Sequence, residues 1–273
     1  MAKTSIKPTH STKTNSAIEL VQWPAPLAEA NKKHADKVLA VQTTRLTPDK
    51  LLENKSSAYQ GFNLGLHVGD CAKQVEHNRQ YLHNFLPPNA KIQWLEQVHG
   101  NEVAEITQVF KQAIIADAAV TRKKNTCLAI MTADCLPILL ASKAGDEIAA
   151  IHGGWRPLAA NIIANTLDKM KTPAADLYAW LGPCISKNAF EVGDEVKASF
   201  MQQGEHFNSA FVAKKNNGKY WADLHRIAAL QLASLGINYI NTLPECTYAN
   251  TGKYYSYRKN TITGRMATLI CLL

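Results

Sequence analysis

The sequence predicts an α+β fold of mixed strands and helices, not a doubly wound parallel sheet. Two observations carry that prediction. Four short apolar runs follow one another between residues 117 and 152 with no helical segment among them, more strands than β–α–β alternation supplies. Helical periodicity lies outside that block, at residues 74–86, 157–170, 194–201 and 222–235.

The elements follow in order. Residues 37–44 read as a strand through Val38, Leu39 and Val41. Residues 74–86 read as a helix with apolar positions at 75, 82, 85 and 86. Residues 91–95 and 102–106 are strands flanking His99. The runs 117–121, 127–131, 136–141 and 147–152 are the four consecutive strands, with Pro137 tolerated at a strand start. Pro157 suits the first position of a helix over 157–170. Residues 176–181 form a strand ending at Gly182–Pro183, and helices follow at 194–201 and 222–235 with a Lys/Asn-rich loop at 214–219 between them. Strands at 254–257 and 265–271 close the chain.

A chain of 273 residues with 46% hydrophobic and 19% charged residues has the makeup of an ordinary globular protein with a sizeable core. No run of about 18 apolar residues is present, which excludes a membrane-spanning helix, and the N-terminus lacks the apolar centre of a secretory signal. The six cysteines (71, 127, 135, 184, 246 and 271) form no C-x-x-C pair and read as free thiols in a reducing cytoplasm. Residues 1–17 carry Lys3, Lys7 and Lys13 among Ser and Thr with no acidic group, as a flexible basic tail does; residues 18–273 read as one domain. The net charge of +8 favours anionic substrates such as phosphate. Without a basic stripe interleaved with aromatics, no nucleic-acid partner is expected.

Chemistry concentrates in three motifs: Gln97-Val98-His99-Gly100, Ala133-Asp134-Cys135-Leu136-Pro137 and His152-Gly153-Gly154-Trp155-Arg156. His99, Cys135 and His152 offer two imidazoles and a thiolate, a set suited to zinc with a fourth position left open for water or substrate. They lie 36 and then 17 residues apart, so only a fold brings them together. Gly153 and Gly154, Arg156 and a helix N-terminus at Pro157 would together cradle an anion beside the metal. Asn63, His67 and Asp70 in a Gly-punctuated turn, with Asn78 and Arg79 on the next helix, are candidate pocket residues. Arg258 and Arg265 flank a turn in a way that suits phosphate or carboxylate. Asp117 and Asp134 are candidates to hydrogen-bond backbone or orient a ligand, as a metal-bound His requires.

Taken with Asn63-Leu64-Gly65, Leu181-Gly182-Pro183, Glu191-Val192-Gly193, Cys246-Thr247-Tyr248 and Ser256-Tyr257-Arg258, these motifs resemble the laccase-domain family of purine nucleoside phosphorylases from about Trp23 onward. That family was formerly called multicopper polyphenol oxidases and is also described as a peptidoglycan editing factor. The resemblance implies packed mixed β-sheets flanked by helices, similar to cytotoxic-necrotizing-factor-like proteins, with the Cys/His site at a sheet edge. It implies His99, Cys135 and His152 as Zn²⁺ ligands and as catalytic residues; the residues themselves make Asn63, His67, Arg79, Arg156 and Arg258 the candidates for substrate or phosphate binding. It implies phosphorolysis of adenosine, inosine, guanosine and methylthioadenosine, together with adenosine deamination, by a cytoplasmic protein expected to be a monomer. Three departures stand out: Leu46-Thr47-Pro48-Asp49-Lys50 in place of a Gly-Gly-x-Ser turn, Pro157 for Gly, and Tyr254-Tyr255 for a Phe pair.

Rival readings remain at this point. A multicopper oxidase needs paired His-x-His motifs, which none of the nine histidines makes, although a single copper at a Cys/His site stays open. A metal-free hydrolase would use Cys135 as nucleophile and a His as base. A non-enzymatic protein would hold zinc only for structure.

Overall fold

The computed structural model describes residues 17–24, 37–48, 58–215 and 218–273. The tail expected over 1–17 falls outside these residues except for Ala17, as does most of the loop after Arg45. Along the chain run β1 (Ile18–Leu20), β2 (Val38–Thr43), α1 (Ala72–Leu82), β3 (Lys91–Gln93), β4 (Leu95–Glu96), β5 (Val103–Glu105), β6 (Ile114–Ile115), β7 (Ala118–Thr121), β8 (Thr126–Thr132), β9 (Leu136–Ser142) and β10 (Ile148–Gly153). Then come α2 (Trp155–Ala159), α3 (Ile162–Lys169), β11 (Leu177–Leu181), β12 (Glu191–Gly193), α4 (Asp194–Met201), β13 (Phe211–Ala213), β14 (Lys219–Ala222), α5 (Leu224–Ser234), β15 (Tyr239–Thr242) and β16 (Met266–Leu272).

Two large mixed sheets stack face to face: β1-β2-β16-β8-β3 and β15-β11-β9-β10-β7-β5. Period-two alternation assigns each strand's side chains to one face or the other. Leu128 and Ile130 of β8 and Ile270 of β16 meet Leu139 of β9, Ile148 and Ala150 of β10 and Trp180 of β11 between the sheets. The opposite faces are covered as well. Ile138, Leu140, Ala149 and Ile151 pack under Leu158, Ile162, Phe200 and Ile227 of the helices. Ala129 and Leu269 pack with Leu82 of α1. The result is a helix–sheet–sheet–helix sandwich. Strands buried on both faces must be apolar throughout, which is why β8, β9 and β10 read as continuous hydrophobic runs. β12-β14-β13 and β4-β6 add two small sheets.

Three sequence expectations are corrected. The helix expected over 157–170 is two helices, broken where Asn161 adopts φ 62°. Asn tolerates that left-handed conformation. Carbonyls at the break accept from side chains, Ala159 from Gln203, Ala160 from Asn101, and Leu158 from Gln231 as well as from Asn161 N. Residues 254–257 form turns rather than a strand. Tyr254 and Tyr255 are fully buried and anchored by their hydroxyls, at Glu245 and at the carbonyls of Tyr59 and Gln60, in place of a strand ladder. The cysteines are not all free: Cys127 and Cys271 face each other in the β8–β16 register and are joined in a disulfide. The bond is buried, hence shielded from solvent reductants; Cys71, Cys135, Cys184 and Cys246 remain free. Among the described residues no helix is long and apolar enough to cross a membrane.

Candidate metal centre and its cleft

Each member of the His/Cys/His trio sits at the end of a strand on one edge of the sandwich. His99 follows β4, Cys135 occupies the turn between β8 and β9, and His152 is the penultimate residue of β10. Their ligand atoms lie within 4.8 Å of one another, with Cys135 Sγ 3.9 Å from His99 Nε2 and the two imidazole rings 4.8 Å apart by centroid. Tetrahedral zinc, with bonds of about 2.3 Å to S and 2.1 Å to N, separates such a donor pair by about 3.6 Å. The trio is therefore close to a ligating arrangement and could hold a metal ion. Gly154 keeps the space clear: a Cβ there would stand 3.1 Å from Cys135 Sγ and 3.4 Å from His99 Cδ2.

Asp117, just before β7, organises two of the three. Its buried carboxylate accepts hydrogen bonds from the backbone N–H groups of Val98 (3.2 Å), His99 (3.0 Å) and Gly100 (2.6 Å). The same carboxylate meets His152 Nδ1 at 2.8 Å, which leaves Nε2 of that ring for a metal. His99 stands at φ 60°, an uncommon conformation for a non-glycine, and the Asp117 bonds fix it there. Gln97 ties the same loop to β8: its side-chain amide donates to Met131 O (2.8 Å) and accepts from Met131 N (2.7 Å). Asp134, at φ 92°, accepts from Thr247 Oγ1 and from Arg258 N, both at 2.6 Å, and so fixes the turn that presents Cys135.

Charge follows from this geometry. Burial pushes the Cys135 thiol up, but the imidazoles of His152 and His99 outweigh it and bring the thiol down to about 6. Burial would likewise lower His152; the Cys135 charge and the Asp117 bond win and raise it to about 9. Burial raises the Asp117 carboxyl, and the bonds from His152, Gly100 and Val98 more than reverse this, holding it below its ordinary value. Without a metal the centre is thus a thiolate–imidazolium pair. A metal cation would take the place of the imidazolium proton and bind the thiolate as it stands.

The trio opens into a cleft of about 660 Å³. Of the residues singled out from sequence, His67, Arg156 and Arg258 line it. Arg156 lies over the Trp155 ring at 4.4 Å and Arg258 over the Phe190 ring at 5.3 Å. Asn63 and Arg79 are placed elsewhere. Asn63 is fully buried and bonded to Gly65, Asp70 and Arg265 N. Arg79 donates to Leu64 O and stacks on Trp94 at 3.8 Å, outside the cleft wall. The anion cradle expected at Pro157 changes form: the helix starts at Trp155 and runs only to Ala159, leaving Arg156 as the charged group there. Arg265, named with Arg258 as an anion-binding candidate, lines the cleft as well; Tyr257, Trp155 and Phe190 also line it and were not foreseen as site residues. Their motifs were visible; only the fold brings them to the trio.

Fold and site together define a layered α+β protein with a candidate mononuclear Cys/His centre in an open, cationic cleft. The chain belongs to the family described as multi-copper polyphenol oxidoreductase laccase, which matches residues 47–273. It is 37% identical over 258 residues to a protein of Escherichia coli (strain K12) named purine nucleoside phosphorylase YfiH, covering 94% of this chain and 100% of that one. A purine nucleoside phosphorylase of Pseudomonas aeruginosa is 37% identical over 250 residues, 92% of this chain and 96% of that one. Among solved structures, a Neisseria meningitidis protein superposes with a TM-score of 0.84 at 35% identity, covering 94% and 99% of the two chains. YlmD of Geobacillus stearothermophilus superposes with a TM-score of 0.73 at 26% identity, covering 86% and 92%.

Two outcomes follow. Asp117→Asn weakens metal affinity about 10- to 100-fold by loosening the His152 ring and the His99 loop; competition with a chromophoric chelator measures it, and unchanged affinity would refute the role. In metal-free protein the rate of Cys135 alkylation rises with pH through a midpoint of about 6, because the thiolate predominates above its pKa. His152→Gln removes the imidazolium, so the midpoint moves up and the reaction at pH 7 slows; a midpoint unmoved by that change would contradict the pairing.

Proposed function

We propose that the protein is a zinc-dependent purine nucleoside phosphorylase. It would cleave adenosine, inosine, guanosine and methylthioadenosine with phosphate and would also deaminate adenosine. The supporting observation is the convergence of one thiolate and two imidazoles on a cleft walled by arginines and aromatic rings. The names of the 37% identical relatives point the same way. Residues 18–273 are taken as the working domain, acting as a cytoplasmic monomer.

In phosphorolysis a phosphate oxygen attacks ribose C1′ while the purine departs. Holding the two reactants in one cleft supplies a large share of the rate. Arg156 and Arg258, exposed on the cleft wall, attract phosphate and neutralise its charge as it approaches. Trp155, Phe190 and Tyr257 offer faces against which a purine can stack. Burial, with Arg265 and Arg79 nearby, lowers the His67 pKa, so this imidazole stays neutral and donates or accepts a hydrogen bond without adding charge. Zinc held by His99, Cys135 and His152 would supply Lewis acidity, either polarising the purine or acidifying water for attack at its C6. Copper remains the alternative metal for this donor set; one trio does not make a multicopper cluster.

One observation favours a second reading. A thiol brought down to about 6 beside two imidazoles is the arrangement of a cysteine nucleophile with its base, so a metal-free hydrolase acting in peptidoglycan editing would use the same residues. Metal-quantified protein incubated with inosine and phosphate separates the two. Phosphorolysis yields ribose 1-phosphate and hypoxanthine in a phosphate-dependent manner, and folded Cys135→Ala without metal yields none. Absence of product from fully metal-loaded protein, with adenosine as well as inosine, overturns the phosphorylase reading in favour of the hydrolase.

A further inference from the structure

Three arginines line the cleft, and they are not equivalent. Arg156 and Arg258 are exposed. Arg265 is only partly exposed and lies immediately before β16, whose first residue, Met266, is paired with Thr132 at the end of β8. The turn carrying Cys135 begins directly after Thr132. Arg265 thus rests on the sheet edge that carries the trio.

Its surroundings hold it in place. The backbone N–H donates to Asn63 Oδ1 at 2.8 Å, and Nη1 donates to the carbonyls of Thr263 and Gly264, each at 3.0 Å. Its stem lies against Gly65, where a Cβ would come within 2.9 Å of Arg265 Cγ. This gives the buried Asn63–Gly65 turn a purpose: it seats Arg265. No carboxylate pairs with the guanidinium among the described residues. Both oxygens of nearby Asp134 are engaged by Thr247 and Arg258 N. On the same cleft wall, the Thr132 hydroxyl is buried with no hydrogen-bond partner among the described residues. The charges of Cys135 and Asp134 lie near this half-buried cation but neither is bonded to it, its hydrogen-bond partners are neutral carbonyls, and its remaining N–H groups have, among the described residues, no acceptor of the kind burial normally demands.

We propose that Arg265 is the anchor of the phosphate co-substrate, with His67 beside it on the cleft wall, while Arg156 and Arg258 act as outer capture groups. A guanidinium pinned at Nη1 presents its remaining N–H groups in a fixed fork, the geometry that binds two oxygens of a phosphate bidentately. The assignment rests on the phosphorolysis reading, and its test separates the two.

Metal-loaded wild type, Arg265→Gln and Arg265→Lys are titrated with inorganic phosphate by calorimetry, with no nucleoside present. Metal content and Tm are measured in parallel to establish that each variant is folded and loaded. Loss of one charge-assisted contact weakens phosphate binding by about 10- to 100-fold in Arg265→Gln, and Arg265→Lys restores only part of it. In turnover with inosine, KM for phosphate rises by a similar factor while KM for inosine holds. Phosphate binding by folded, loaded Arg265→Gln equal to wild type overturns the assignment, as does a loss that falls on inosine instead. Phosphate binding that depends on Arg265 in a protein forming no ribose 1-phosphate leaves the anchor standing and removes the phosphorylase reading.

Discussion

The centre depends on one buried carboxylate. Asp117 accepts from three consecutive backbone N–H groups and from an imidazole of a different sheet strand. A carboxylate with no solvent exposure is costly unless each lone pair is used, and here four donors surround it. The same bonds that make its burial tolerable hold His99 in a left-handed conformation and direct His152 Nε2 outward. Asp134 does the parallel task for Cys135 through Thr247 and Arg258. Two aspartates therefore fix three ligands, and the sandwich beneath them supplies rigidity.

That division explains why the site is built on strand ends. β8, β9 and β10 are buried on both faces and cannot shift without opening the core. Their exposed ends are the only parts free to carry chemistry. The cleft rim, by contrast, comes from turns around Tyr257 and Arg258 and from the short helix bearing Arg156.

Much of this was legible in the sequence for a physical reason. Doubly buried strands leave unbroken apolar runs, so β8 to β11 fall within a residue or so of where the pattern puts them. Helix α4 coincides with the predicted 194–201. The β13–β14 hairpin and edge strand β15 were not visible because half-exposed residues there, such as Val212 and Ile240, leave no clean alternation. The Asn161 break escaped notice because the apolar spacing continues on both sides of it. At the site, the His/Cys trio stood out through its short motifs. Asn63 and Arg79 stood out equally, yet their polar atoms serve backbone and a neighbouring ring. A polar side chain beside a Gly-rich turn looks the same in sequence whether it faces a ligand or the chain itself. Arg265 stood out beside Arg258 as an anion-binding candidate, but its place next to the centre comes from the β16–β8 pairing.

The chemistry of the cleft depends on what the trio holds. Crystals of protein purified without added metal, measured above and below the zinc and copper absorption edges, address that directly. One anomalous peak at the zinc edge, about 2.3 Å from Cys135 Sγ and about 2.1 Å from a nitrogen of each of His99 and His152, with a non-protein fourth ligand facing the cleft, is the predicted result. A cluster of copper peaks, a fourth ligand supplied by the protein, or no peak beside Cys135 would contradict it.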